Sequence, residues 1–159
     1  MILVTVGTER FDDLVKTMDE IALELSEEVI IQVGKGEYKP KNCRYFRFSS
    51  HMDRYFEKAS LIVTHGGAGT LFELLEKNRK IIGISNPEKP HQHQKEILKA
   101  LSQQNYLIWC RDVKRLKETV ENAKKVKTKR YRKPECQIAE IITRKLGEWF
   151  MRPVIRDRG

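Results

Sequence analysis

No run of apolar residues in this chain comes near the roughly 20 that a membrane-spanning helix needs; stretches such as Leu61 to Val63 and Ile81 to Ile84 are the size of strands. Cysteine is scarce as well. Cys43, Cys110 and Cys136 are odd in number, widely spaced and in no Cys-x-x-Cys pairing, which weighs against a disulfide framework and against a zinc cage. No glycine loop is followed by Gly-Lys-Ser/Thr, and there is no Gly-x-Gly-x-x-Gly, so P-loop ATP hydrolysis and dinucleotide binding both lose ground. Asp-x-Asp is missing, as are internal repeats and low-complexity segments. Met1-Ile2-Leu3-Val4 has no basic stretch ahead of it and reads as a first strand, not a signal peptide, so the expectation is a cytosolic protein.

What is present suits a charge-rich globular domain. With 159 residues, 40% hydrophobic and 33% charged, the chain has material for one domain with a proper core. The formal charge of +9 favours an acidic partner, whether nucleic acid, anionic lipid or a phosphorylated ligand.

Met1 to Val6 is β-rich and stops at Gly7-Thr8, after which Phe11, Leu14, Val15, Met18, Ile21, Ala22 and Leu25 recur at helical spacing. Val29 to Val33 and Arg44 to Phe48 predict two more strands, and His51 to Ala59 a short helix. Leu61 to Thr64 predicts a buried strand that runs through a glycine turn into a helix from Ala68 to about Lys77. Lys80 to Ser85, a helix from about His91 to Gln103, Tyr106 to Cys110 and a helix carrying Val113, Leu116, Val120 and Ala123 follow. This alternation implies βαβ units and an α/β, Rossmann-like parallel sheet with helices on both faces. The turns after Val6, Phe48, His65 and Ser85 would then converge on the carboxyl edge, where such sheets bind ligands. The expected layout is a domain over residues 1–124, a basic linker at 125–133, a C-terminal helix at 134–151 and a mobile tail at 152–159.

Three glycines in four residues, in His65-Gly66-Gly67-Ala68-Gly69-Thr70, let the backbone turn sharply and leave amides facing outward at a helix start. That suits a diphosphate; it would equally serve as a tight turn holding nothing. Glu73, one turn into the helix, could accept from a ribose diol or simply favour the helix dipole. His91 and His93 do not share a helix face and make a poor metal pair. His51 reads as an exposed or capping histidine. Seven Lys or Arg in ten residues at 124–133, with Tyr131 the lone aromatic, form a solvated face, a draw to anionic lipid or, with least support, a nucleic-acid contact.

Taken together, Val4-Thr5-Val6-Gly7-Thr8 with Phe11-Asp12, Thr64 to Thr70 with Glu73, and Asn86-Pro87 followed by His93-Gln94 resemble the donor-binding half of the GT-B glycosyltransferases of family twenty-eight, over roughly Met1 to Leu107. Within that family the chain is most similar to the single-domain members. These are the catalytic subunit of the two-component N-acetylglucosaminyltransferase of dolichol-linked N-glycan assembly and its prokaryotic polysaccharide-synthesis relatives. The resemblance implies a UDP-sugar donor, with Gly7, Thr8, His65, Gly66, Gly67, Ala68, Gly69 and Thr70 on the diphosphate and Glu73 on the ribose. Phe48, Ser49 and Met52 would lie at the uracil, and His93 and Gln94 would face the donor sugar. His65 and Glu73 would position the donor for catalysis. No metal and no cofactor are implied. A membrane-anchored partner subunit would supply the acceptor half and the acceptor base, and would keep the protein at the cytoplasmic face of the membrane. Trp149 and Phe150 are candidates for that interface, or pack back on the domain. The acceptor would be a polyprenyl or dolichyl diphosphate-linked sugar, and nucleic acid is not an expected partner. The alternative is a non-catalytic nucleotide-sugar-binding module that regulates or scaffolds a partner.

Overall fold

A computed structural model describes residues 1–87 and 92–133. The expectations on Lys89, Pro90, His91 and Cys136, on the helix at 134–151 with Trp149 and Phe150, and on the tail at 152–159 lie outside the described residues.

Each apolar run becomes a strand: β1 (Ile2–Thr5), β2 (Val29–Gln32), β3 (Arg44–Phe46), β4 (Leu61–His65), β5 (Ile81–Ile84) and β6 (Ile108–Cys110). All pairings are parallel, in the order β3-β2-β1-β4-β5-β6. β1, β2, β4 and β5 are buried from end to end, because helices cover both faces of the sheet. β3, at one edge, exposes Arg44 and Tyr45.

The helices are α1 (Asp12–Ile21), α2 (Met52–Lys58), α3 (Ala68–Glu76), α4 (Gln92–Gln103) and α5 (Leu116–Ala123). Side chains alternate across each strand, so Val4, Ile31, Val63 and Ile82 meet Leu14, Met18, Leu116 and Val120 of α1 and α5 on one face. Leu3, Ile62 and Ile81 meet Leu71, Leu74, Leu98 and Leu101 of α3 and α4 on the other. Apolar spacing alone carries the first helix to Leu25, but the backbone tightens into a 3-10 turn at Ala22–Glu24 and Leu25 is extended, as the chain reverses toward β2. Likewise Val113 belongs to a 3-10 turn, Val113–Arg115, capped by the Asp112 carboxylate on the Lys114 N–H at 2.9 Å. α3 and α4 are each followed by an asparagine in left-handed backbone, Asn78 (φ 52°) and Asn105 (φ 61°).

Residues 124–133 run in irregular backbone against the amino edge of the sheet and the α3–α4 layer. The Lys124 carbonyl accepts from Lys80 Nζ at 3.4 Å, Lys129 N–H donates to Asn105 O at 2.8 Å, and Tyr131 packs edge-on to Tyr106 with ring centroids 5.3 Å apart. Among the described residues no helix is long and apolar enough to cross a membrane.

Strand order reverses at β1. Chain progression from β1 toward β2 and β3 runs one way, and from β4 through β6 the other, so the carboxyl ends of β1 and β4 flank a crevice.

Candidate functional site

Two turns meet in that crevice. The first leaves β1 through Gly7, whose φ of +59° requires a residue without a Cβ. A Cβ there would lie 3.3 Å from His65 Cε1 and 3.8 Å from Thr70 Oγ1, so the β1 turn and the glycine turn after β4 are in direct contact. At Gly67 a Cβ would come within 2.4 Å of His65 Nε2. The His65 ring, 5% exposed, is therefore enclosed between Gly7 and Gly67 and sets the spacing of the two turns. Beyond it, Ala68 and Gly69 are exposed, and a Cβ on Gly69 would meet nothing within 4 Å. The N-terminus of α3 thus opens to solvent with its first amides uncapped by any side chain, which gives an anion both donors and the positive end of the helix dipole.

A polar row beneath the turns holds them. Thr5, Gln32 and Thr64 occupy matching register positions on β1, β2 and β4. The Thr5 hydroxyl donates to Gln32 Oε1 and accepts from the Gly7 N–H at 3.2 Å, while Gln32 Nε2 donates to the Gly7 carbonyl at 3.1 Å. Both backbone groups of Gly7 are thereby fixed. Thr64, fully buried in the same row, has no hydrogen-bond partner for its hydroxyl among the described residues. Asn86, 2% exposed at the end of β5, donates through Nδ2 to Arg10 O at 2.6 Å and through its N–H to Gln94 Oε1 at 3.2 Å. It clasps the β1–α1 loop to the start of α4. A Cβ on Gly66 would lie 2.9 Å from Gln94 Cβ, so α4 approaches the turn closely only because Gly66 is bare.

The structure thus brings Gly7, His65, Gly66, Gly67, Thr70 and Gln94 together, with Thr8, Ala68 and Gly69 on the exposed rim. Glu73 is exposed on α3, near the Asp53–Lys77 ion pair of 2.8 Å, in which the hydrogen bond and charge of Lys77 hold the Asp53 carboxyl below its ordinary range. Phe48, 53% exposed, and Ser49, whose hydroxyl accepts from the His51 N–H at 3.1 Å, follow β3 two strands away from β1. Met52 packs at the rim of the α3 and α4 layer. His93 points to solvent with Glu96 at 3.7 Å, so of the His93-Gln94 pair it is Gln94 that meets the turn. Sequence reasoning passed over Gln32 and quoted Thr5 and Asn86 only as members of the motifs that carry the resemblance; their part in holding the turns depends on partners distant in sequence.

The sequence model described as glycosyltransferase family 28 C-terminal domain matches residues 1–145. Among curated proteins, the chain is similar to the UDP-N-acetylglucosamine transferase subunit ALG13 of Homo sapiens, at 29% identity over 69% of this chain, and of Mus musculus, at 32% over 67%. It spans only 11% and 10% of those two relatives. The ALG13 subunit of Candida albicans is 33% identical over 54% of this chain and 29% of its own length. Among solved structures, Acinetobacter baumannii MurG superposes with a TM-score of 0.62 at 19% identity, over 79% of this chain and 42% of that one. The NMR structure of ALG13 gives 0.60 at 18% identity, over 89% and 93%. Both are similarities of fold.

Proposed function

The chain belongs to the glycosyltransferase family 28 C-terminal domain family, and from that premise we propose that it is the UDP-sugar-binding catalytic subunit of a two-component glycosyltransferase. The reaction is transfer of N-acetylglucosamine from UDP-N-acetylglucosamine to a polyprenyl or dolichyl diphosphate-linked acceptor. A membrane-anchored partner subunit supplies the acceptor half and holds this chain at the cytoplasmic face of the membrane. The relatives' shared name, a UDP-N-acetylglucosamine transferase subunit, supports both the donor and the need for a partner.

The observation that carries this reading is the contact between Gly7 and His65 at the strand-order reversal, with the open N-terminus of α3 beside it. In the transfer step the acceptor hydroxyl oxygen forms a bond to the anomeric carbon. The bond from that carbon to the UDP oxygen breaks with its electron pair leaving on UDP, and the hydroxyl proton passes to a base on the partner. Negative charge grows on the departing diphosphate. Amides held in place beforehand stabilise it without reorganising; the open N-terminus of α3 offers them here, while the Thr5–Gln32–Gly7 bonds and the enclosed His65 ring hold the β1 turn against it. The ribose hydroxyls are assigned to Glu73, which is exposed one turn along α3 from the glycine turn.

Isothermal titration with UDP and UDP-N-acetylglucosamine tests the donor site, and the absence of saturable binding at millimolar ligand would defeat it. Glu73→Ala is expected to weaken UDP binding about tenfold, the worth of a hydrogen bond to a charged group. As an exposed substitution it should shift the melting curve little; unchanged affinity would remove the ribose role.

A further inference from the structure

A diphosphate that departs with a growing negative charge is stabilised best by a cation, and the groups that meet at the donor turn are amides, hydroxyls and the enclosed His65 ring. On the segments that leave the carboxyl ends of β1, β2 and β3, the first basic residues are Arg10, Lys35 and Arg47. Arg10 is paired with Asp12 at 2.9 Å and with Glu37 at 2.8 Å. Arg47 donates through one guanidinium nitrogen to the carbonyls of Gly34 at 3.2 Å and Gly36 at 3.1 Å. Lys35, exposed between those two buried glycines, makes no ion pair among the described residues.

The turn that carries Lys35 is clamped against the donor site. Gly34 has a φ of +55°, and a Cβ on it would lie 2.5 Å from Glu9 O and 2.7 Å from Gly7 O, so the β2 turn packs on the backbone of the β1 turn. Lys35 N–H donates to Glu9 O at 3.1 Å, and Gly36 N–H closes the turn on Val33 O at 2.9 Å. Asp12 Oδ1 accepts from the N–H groups of Glu37 at 2.9 Å and Tyr38 at 3.1 Å, which ties the following residues to the start of α1. Adding one bond to that Gly34 approach, and one step of about 3.8 Å along the chain, puts the Lys35 Cα within about 8 Å of the Gly7 carbonyl. Its four-carbon stem reaches about 6 Å, so a phosphate bound on the β1 turn is in range of the ammonium.

We propose that Lys35 is the cation of the donor site, pairing with the β-phosphate of UDP as the sugar leaves it. The proposal rests on the donor reading above. When the bond from the anomeric carbon to the β-phosphate oxygen breaks, its electron pair stays on that oxygen, and UDP departs with one more negative charge than the intact donor carried. A point charge on a flexible stem follows the oxygen as it moves, while the clamped backbone holds the root of the stem in place. The interaction strengthens as the charge grows, which is the kind that accelerates a step.

The test is isothermal titration of the full chain with UDP, UDP-N-acetylglucosamine and UMP at about pH 8, where a terminal phosphate is fully ionised. Lys35→Gln should weaken UDP about tenfold, the worth of a hydrogen bond to a charged group. The loss should be smaller for UDP-N-acetylglucosamine, which lacks the extra charge, and smallest for UMP, which lacks the β-phosphate. Lys35→Arg should keep most of the UDP affinity, because it keeps the charge. Raising salt from about 0.05 to about 0.5 M should weaken UDP more in the wild type than in Lys35→Gln. Both substitutions are exposed and should leave the melting curve nearly unchanged. An equal loss for UDP and UMP, or the same loss in Lys35→Arg as in Lys35→Gln, would overturn the proposal. UDP bound equally well by wild type and Lys35→Gln defeats the role of Lys35 alone, whereas no saturable UDP binding by the wild type defeats the donor reading and Lys35 with it.

Discussion

Asp19 is fully buried on α1, where it faces the connection between β2 and β3. A carboxylate there would be costly without partners, and it has them: the N–H groups of Lys41 at 2.9 Å and Asn42 at 2.8 Å, the Tyr38 hydroxyl at 2.9 Å and the Cys43 thiol at 3.2 Å. Burial alone would raise its pKa, but these donors outweigh it and the pKa falls below the ordinary 3.8. Because the folded value is depressed, the contribution to stability is complete above the ordinary value and is lost as pH falls below it. Asp19→Asn keeps the shape but trades an acceptor pair for an amide whose NH₂ faces donors, and should cost about 2–4 kcal/mol in urea denaturation at pH 7. The deficit should narrow in acid; a constant difference from pH 7 to pH 3 would contradict the role of the charge. The same site governs Cys43, whose thiol burial first, and then Asp19, push up to about 12. Cys43 of the folded protein should therefore resist alkylation at pH 8, and should react faster in the Asn variant.

At the scale of elements, the six strands and five helices of the described residues were legible because apolar runs and helical spacing are local properties, and burial on both faces leaves them plain in β1, β2, β4 and β5. The glycine turn was legible for the same reason, since Gly66, Gly67 and Gly69 stand where one period gives way to another. What spacing did not show is what depends on distant partners. Thr5, Gln32 and Asn86 look like ordinary strand ends until Gly7, Arg10 and Gln94 are seen beside them. The chain after α5 is a comparable case, because its register is set by Asn105, Tyr106 and Glu27 and by nothing in its own composition. Glu27 gathers the amino edge, accepting from the Ser60 hydroxyl, from Lys124 Nζ at 2.9 Å and from the Met1 amino group at 3.1 Å. Those bonds, the Ser60 one first, lower its pKa from 4.5 to about 2. Glu27→Gln should cost about 1–2 kcal/mol at pH 7. With a depressed folded value the loss is full above pH 4.5 and fades as pH falls toward 2, where wild type and variant should unfold at the same denaturant concentration. Parallel curves throughout would show that the carboxylate does not tie the edge.

For the molecule as a whole, the fold presents one complete wall of a cleft. The two turns, the polar row beneath them and the open start of α3 are all built from this chain, so donor binding should need nothing else. Transfer differs, because the proposed function assigns the acceptor base to the partner subunit. Binding and turnover are thus expected to separate. UDP at a hundredfold excess over its dissociation constant should stabilise the isolated chain by about 2.7 kcal/mol. For a domain of this size that raises the melting temperature by about 5–10 °C. The same preparation should transfer no sugar to a polyprenyl diphosphate acceptor until the partner subunit is co-expressed, and the thermal shift with UDP should be nearly the same with the partner present. Turnover by the isolated chain would place the base among its own residues. A thermal shift that appears only with the partner would mean instead that the donor turn is assembled across the interface, contrary to the fixed geometry of Gly7 and His65 seen here.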